Sequence, residues 1–293
     1  MDTITGVMLA GGFMAALGGG LAWMLAAANK RLYVYEDPRI DQVAELLPQS
    51  NCGACGTAGC RNFAENLVEG KLQPSGCTVN TPDMNAYIAG FLGVELGAAD
   101  KRVARLACAG GRHVARLRAH YDGLETCRAA ATVAGGGKAC AWGCLGLGDC
   151  ETVCDFAAIT MDQFGLPVVD AAKCTACGDC VEVCPKDLFS LQSVTHKLWV
   201  ACKNRADGDT AELQCEVACT ACGRCVADSA EGVVKLDREL AVIDYALNGL
   251  ATRQAIERCP TGAIVWFEDD HAEKGRAAKK IVRIAPLPVA SEV

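Results

Sequence analysis

Cys174–Asp187 reads CTACGDCVEVCPKD, and a little further on Cys219–Gly232 reads CTACGRCVADSAEG. The first stretch sets Cys174, Cys177, Cys180 and Cys184 in a C-x2-C-x2-C-x3-C run closed by Pro185. The second repeats three of them as Cys219, Cys222 and Cys225, but Ser229-Ala230 stand where Cys184-Pro185 would be. Thiols this close along the chain bridge each other poorly, yet they can converge on one inorganic centre. The fold therefore turns on where each run finds its remaining ligands.

A C-x2-C-x2-C-x3-C-P run is the [4Fe-4S] spacing of bacterial ferredoxins, whose fourth cysteine serves the neighbouring cluster. The companion run is CAWGCLGLGDCETVC, with Cys140, Cys144, Cys150 and Cys154. Aligned on its last two cysteines, its middle ligand falls on Leu147, which cannot bind iron. Cys140 is the expected replacement. The crossing rule then gives one cluster Cys140, Cys144, Cys150 and Cys184, and the other Cys174, Cys177, Cys180 and Cys154. For the second stretch, the distant Cys-Pro is Cys259-Pro260, which completes Cys219, Cys222 and Cys225. Ser229 then marks the cysteine of a cluster that this repeat lacks, since YALNGLATRQAIER replaces the triad expected before Cys259.

A further group, Cys52, Cys55, Cys60 and Cys77, lies in and after the glycine-rich NCGACGTAGC. Gly53, Gly56 and Gly59 let backbone N–H groups face cluster sulfurs, and Cys60 falls near a helix start, where the dipole favours a thiolate. A tetrathiolate zinc knuckle is the alternative there. Of the twenty cysteines, Cys108, Cys127, Cys202 and Cys215 remain, read as buried thiols. Cys215 precedes Cys219 by four residues as Cys140 precedes Cys144, which makes it a vestigial or reserve ligand. Cysteine density of this kind means disulfides or metal, and the tight spacings favour metal. A net charge of −7 argues against nucleic acid as a partner.

Ile4–Ala28 contains no charged residue and is long enough to span a hydrocarbon core as one helix. A signal peptide is the rival reading, with AAA at 26–28 as a cleavage site, but MDT carries an acid and no base. Lys30 and Arg31 follow the span, so the positive-inside rule puts the bulk of the chain on the cytoplasmic side of the inner membrane. The glycines of the span suggest packing against partner helices. Asp37 and Pro38 open a helix with Ile40, Val43, Leu46 and Leu47 on one stripe, and a second helix is expected from about Gly59 to Val68. The basic Lys101–Arg118 stretch reads as a solvated helix face or a docking patch for an acidic carrier. GGGK at 135–138 lacks the Walker spacing and reads as flexible chain.

CDFAAI, CPKDLF and CPTGAI each lead from a cysteine into a strand-like run, and LAC at 106–108 parallels VAC at 200–202. The expected fold is α+β: an N-terminal transmembrane helix (1–29), a small helical four-cysteine cluster domain (30–95) and a basic, glycine-rich connector (96–138). Ferredoxin-like cluster repeats follow, with two clusters in 139–195 and one in 196–268, before a basic tail (269–293).

The apolar helix, then CGACGTAGC…C, then GCLGLGDCETVC…CTACGDCVEVCP resembles RnfB, the B subunit of the Rnf ferredoxin:NAD+ oxidoreductase, over nearly the whole chain. The resemblance implies a membrane-bound electron-relay subunit of an ion-translocating complex. Its partners would be the membrane and flavin subunits and a soluble ferredoxin or flavodoxin. Cys52, Cys55, Cys60 and Cys77 match the family's membrane-proximal site; Cys140, Cys144, Cys150, Cys154, Cys174, Cys177, Cys180 and Cys184 match its ferredoxin cysteines. The C-terminal repeat departs from a two-cluster member of the family. With it, the expected complement is four [4Fe-4S] clusters. No dinucleotide fingerprint, phosphate loop or Ser-His-Asp set is present, so neither NAD nor flavin is expected on this chain. A reading from another class is a membrane-tethered assembly or scaffold module that holds zinc or transfers a cluster.

Overall fold

The computed structural model describes residues 3–32, 36–98, 100–268 and 271–289. The acid of the MDT segment and the last residues of the tail lie outside this set. Helix α1 (Thr3–Leu32) carries Lys30 and Arg31 in its last turn, where they complement the negative end of the helix dipole. From Thr5 to Leu32 it is long and apolar enough to cross a membrane. At ~1.5 Å per residue that length exceeds a bilayer core of about 30 Å.

Next comes a three-helix unit of α2 (Pro38–Leu46), α3 (Cys60–Val68) and α4 (Pro82–Leu92). Asp37 caps α2 with Pro38 at its first position, as the sequence suggests. Thr81 caps α4 in the same way, and Gly93 ends it with φ 69°. Val43, Leu47, Phe63, Ala64, Leu67 and Ile88 form the shared core. Helix α4 supplies Ile88, which the sequence reading leaves unassigned.

The segment 96–138 is more than a connector, and its basic stretch is not a helix face. Strand β1 (Arg102–Leu106) pairs antiparallel with β4 (Phe189–Ser193), Arg102 opposite Ser193 and Leu106 opposite Phe189. Alternation puts Val103 and Arg105 on one face, and the buried Arg105 guanidinium lies 3.5 Å from the centre of the Phe267 ring. Helix α5 (Cys127–Thr132) follows, then the cluster-type loops with α6 (Asp149–Thr152), β2 (Ile159–Met161), β3 (Pro167–Val169) and α7 (Asp179–Val183). Strands β2 and β3 form a hairpin.

The second repeat comprises β5 (Leu198–Val200), α8 (Gly208–Gln214), α9 (Arg224–Ala227), β6 (Val234–Asp237), β7 (Leu240–Ile243), α10 (Gln254–Glu257), β8 (Ile264–Glu268) and β9 (His271–Lys274). Its sheet runs β5-β8-β9, with β6-β7 as a separate hairpin. The described part of the tail, residues 271–289, is anchored. Strand β9 pairs with β8, the Leu287 amide donates to the Arg112 carbonyl at 3.0 Å, and Val289 is buried.

Each repeat is closed by an equivalent backbone bond. The Ala107 amide donates to the Leu188 carbonyl, and the Ala201 amide to the Ala263 carbonyl, each at 2.8 Å. Leu188 and Ala263 each lie four residues beyond a Cys-Pro cysteine. The LAC and VAC segments thus occupy matching places, and the Ala109 amide donates to the Ala201 carbonyl to join them.

Candidate metal centres

Each cysteine loop is bent by left-handed residues at recurring places. Two residues after the loop-opening cysteine stand Gly146 (φ 74°), Ala176 (φ 60°) and Ala221 (φ 50°). Three residues after the strand-leading cysteine stand Ala157 (φ 47°), Asp187 (φ 49°) and Gly262 (φ 70°). Non-glycine residues in this region cost on the order of 1 kcal/mol or more each and tend to cluster at functional sites. Gly148, Gly178 and Gly223, also left-handed, start α6, α7 and α9, so Cys150, Cys180 and Cys225 sit in matching first turns. The local sequence thus folds three equivalent cradles.

Site I takes shape beside the three-helix core, where Cys55, Cys60 and Cys77 pack against its apolar residues. Cys60 opens α3, and its amide donates to Asn51 Oδ1 at 2.9 Å. Gly59 cannot be replaced there without collision, since a Cβ would meet Asn51 Oδ1 at 2.8 Å. Asn85 Nδ2 holds the Cys77 carbonyl at 3.0 Å. Burial pushes the Cys77 thiol up from its ordinary value.

Site II joins Cys154, Cys174, Cys177 and Cys180 around one apolar cavity, the grouping expected from the crossing rule. Amides aim at its sulfurs: Ala104 N–H donates to Cys174 Sγ at 3.5 Å and Ala158 N–H to Cys154 Sγ at 3.3 Å. One apolar cavity joins Cys219, Cys222, Cys225 and Cys259 as site IV. Ser229 does not line it; its hydroxyl donates instead to the Cys225 carbonyl at 2.7 Å.

Site III departs from the expected grouping: the cavity lined by Cys144, Cys150 and Cys184 is lined also by Cys127, whereas Cys140 lines a neighbouring one. Asp149 places Cys127: one carboxylate oxygen accepts the Cys127 amide at 2.8 Å and the other accepts Arg128 N–H at 3.1 Å. The start of α5 is thereby pinned beside Cys150, and Cys127 lines the same cavity. Nothing in the spacing of Cys127 announces this; the one sequence signal is the missing thiol at Leu147.

Cys140 lines a neighbouring cavity together with Cys108, Cys202 and Cys215. These are three of the cysteines read as leftover thiols. Burial raises Cys140 and pushes Cys202 and Cys215 up to about 12, as it does Cys144, Cys150, Cys180 and Cys225 in the other cavities. All twenty cysteines are free of disulfides.

The donor sets fit a cluster better than a single ion. Among the described residues, no group of three or more His, Cys, Asp or Glu side chains converges closely enough to hold one metal ion. The thiols instead line apolar cavities in sets of four, and main-chain amides point at sulfur, the arrangement that tunes iron–sulfur centres.

Comparison with known proteins agrees. A family model described as an Fe-S cluster matches residues 47–79, and a 4Fe-4S dicluster domain matches residues 139–189. The chain is 39% identical over 240 residues to the B subunit of the Na(+)-translocating ferredoxin:NAD(+) oxidoreductase complex of Acetobacterium woodii, covering 82% of this chain and 72% of the relative. It is 35% identical to the B subunit of the ion-translocating oxidoreductase complex of Methanosarcina acetivorans, over 86% of this chain and 95% of that one. The chain belongs to the B-subunit family of ion-translocating ferredoxin:NAD(+) oxidoreductase complexes. A third member, the B subunit of the proton-translocating ferredoxin:NAD(+) oxidoreductase complex of Clostridium ljungdahlii, is 34% identical over 90% of this chain and 93% of its own length. As a family member the chain is an iron–sulfur subunit of a multi-subunit complex. The dicluster match covers sites II and III apart from Cys127, which lies outside it.

Proposed function

We propose that this chain is the iron–sulfur electron relay of an ion-translocating ferredoxin:NAD(+) oxidoreductase, exchanging electrons with a soluble ferredoxin or flavodoxin and passing them to the complex's membrane and flavin subunits. The ligand sets are Cys52, Cys55, Cys60 and Cys77; Cys154, Cys174, Cys177 and Cys180; Cys127, Cys144, Cys150 and Cys184; and Cys219, Cys222, Cys225 and Cys259. A [4Fe-4S] centre in such a set supplies one-electron chemistry, with its potential set by thiolates, amide donors and burial.

The serial contact of sites I, II and III carries the reading. Thr78 Oγ1, beside Cys77, donates to the Thr175 carbonyl at 2.6 Å, so site I abuts site II. Cys77 and Cys174 line one common cavity. Cys180 and Cys154 of site II share an apolar cluster with Cys150 and Cys184 of site III. The membrane helix precedes site I, and Lys30 and Arg31 at its end favour a cytoplasmic position for the sites. Site I then lies at the membrane end of the series, which makes the C-terminal repeat the natural face for the soluble carrier.

Anaerobic purification in detergent, followed by iron and acid-labile sulfide analysis and low-temperature EPR after reduction with reduced ferredoxin, tests the proposal. Matched iron and sulfide with interacting paramagnetic signals are expected. Zinc in place of iron, with no reducible signal, would sink it.

A further inference from the structure

Cys108, Cys140, Cys202 and Cys215 line one cavity, a set of four thiols like those of sites II, III and IV. We infer that these four cysteines hold a further [4Fe-4S] cluster, a central site between sites III and IV, so that every cysteine of the chain belongs to a quartet. The inference rests on the relay reading above and extends it.

The surroundings of the sulfurs match those of the other sites. Cys108 Sγ accepts the Gly110 and Cys144 amides, each at 3.4 Å. Cys202 Sγ accepts the Asn204 and Cys219 amides, also each at 3.4 Å. A Cβ on Gly110 would stand 3.1 Å from Cys215 Sγ and 3.6 Å from Cys108 Sγ, so glycine keeps the space between two ligands open. Lys138 is buried against this cavity. Its ammonium donates to the Gly110 carbonyl at 2.6 Å and to the Cys144 carbonyl at 2.5 Å. A buried cation needs a compensating charge, and four thiolates around a cluster supply a net negative one.

The quartet is also symmetric with respect to the repeat. Cys108 and Cys140 come from one half, Cys202 and Cys215 from the other. Cys108 and Cys202 each accept an amide from two residues ahead and another from a loop-opening cysteine, Cys144 or Cys219. Cys140 and Cys215 each precede that cysteine by four residues. The pairing explains the LAC and VAC parallel, which four unrelated buried thiols would leave without cause.

Position gives the quartet its role. Cys144 is a ligand of site III and its amide touches Cys108; Cys219 is a ligand of site IV and its amide touches Cys202. The central quartet thus fills the gap in the series between sites III and IV.

The test is iron and sulfide content of the full-length protein, purified anaerobically, alongside Cys202→Ala and Cys215→Ala. The wild type is expected to hold about twenty irons, four per quartet. Each variant is expected to lose about one-fifth of them and one reducible EPR component. A second measurement needs no variant: iodoacetamide labelling of native wild type, read by mass spectrometry before and after iron removal by a chelator. Cys108, Cys140, Cys202 and Cys215 should become labelled only after iron removal, together with the ligands of the other sites. A wild type with about sixteen irons whose four central cysteines label unchanged by chelation would overturn the central site while leaving the relay standing. A chain without iron would overturn both.

Discussion

Replacing Leu147 with cysteine provides a gain-of-ligand test of how site III is built. In the backbone, Leu147 lies between Gly146 (φ 74°) and Gly148 (φ 81°), as Cys222 lies between Ala221 (φ 50°) and Gly223 (φ 71°). Position 147 therefore occupies the place of a middle ligand in an already formed loop. Cys127→Ala leaves site III with Cys144, Cys150 and Cys184, and should remove one cluster, about four irons of about twenty. Adding Leu147→Cys to Cys127→Ala should restore those irons and the lost EPR component. Cys140→Ala should also lose about four irons, from the central quartet, but Leu147→Cys should not restore them. Iron analysis and reduced-state EPR of the four proteins read the outcome. Rescue of Cys140→Ala, with none of Cys127→Ala, would refute the assignment and return Cys140 to site III.

Cys259→Ala should remove one cluster, whereas Ser229→Ala should keep the full iron content, because that hydroxyl bonds the Cys225 carbonyl and not the cavity. Phe63→Ala, at a side chain 1% exposed in the three-helix core, should destabilise that unit by about 3–5 kcal/mol in chemical denaturation. Hydrogen bonds from the Arg39 side chain and amide hold the Asp37 carboxyl below its ordinary value. The stability from this cap is therefore present above the unfolded-chain value of about 3.9 and is lost as pH falls through the lower folded value. Asp37→Asn should remove that acid limb, which carboxylate NMR titration of the two proteins would reveal.

Much of this organisation is legible in the sequence because cluster loops are local. The crossing of Cys154 to Cys174, Cys177 and Cys180, and of Cys259 to Cys219, Cys222 and Cys225, is read from spacing, and each of these sets lines one cavity. Asp37-Pro38 and Cys60 mark helix starts for equally local reasons. Cys127 is different. Its distance from site III along the chain is closed by Asp149 gripping two amides of α5, a contact that no periodicity encodes. Cys108 is hidden for a related reason: it follows strand β1, which pairs with β4, so the start of the basic stretch folds as a strand although its charge suggests a solvated helix. The LAC and VAC parallel is the visible trace of that arrangement, and it acquires meaning only once the two halves are docked.

An anaerobic titration of the full-length chain with reduced ferredoxin, following cluster absorbance and EPR, bears most directly on the relay itself. The account predicts uptake of about one electron per quartet, about five in all, with magnetic interaction between neighbouring sites. A chain whose quartets carry iron and sulfide but which accepts no electrons from ferredoxin would contradict it.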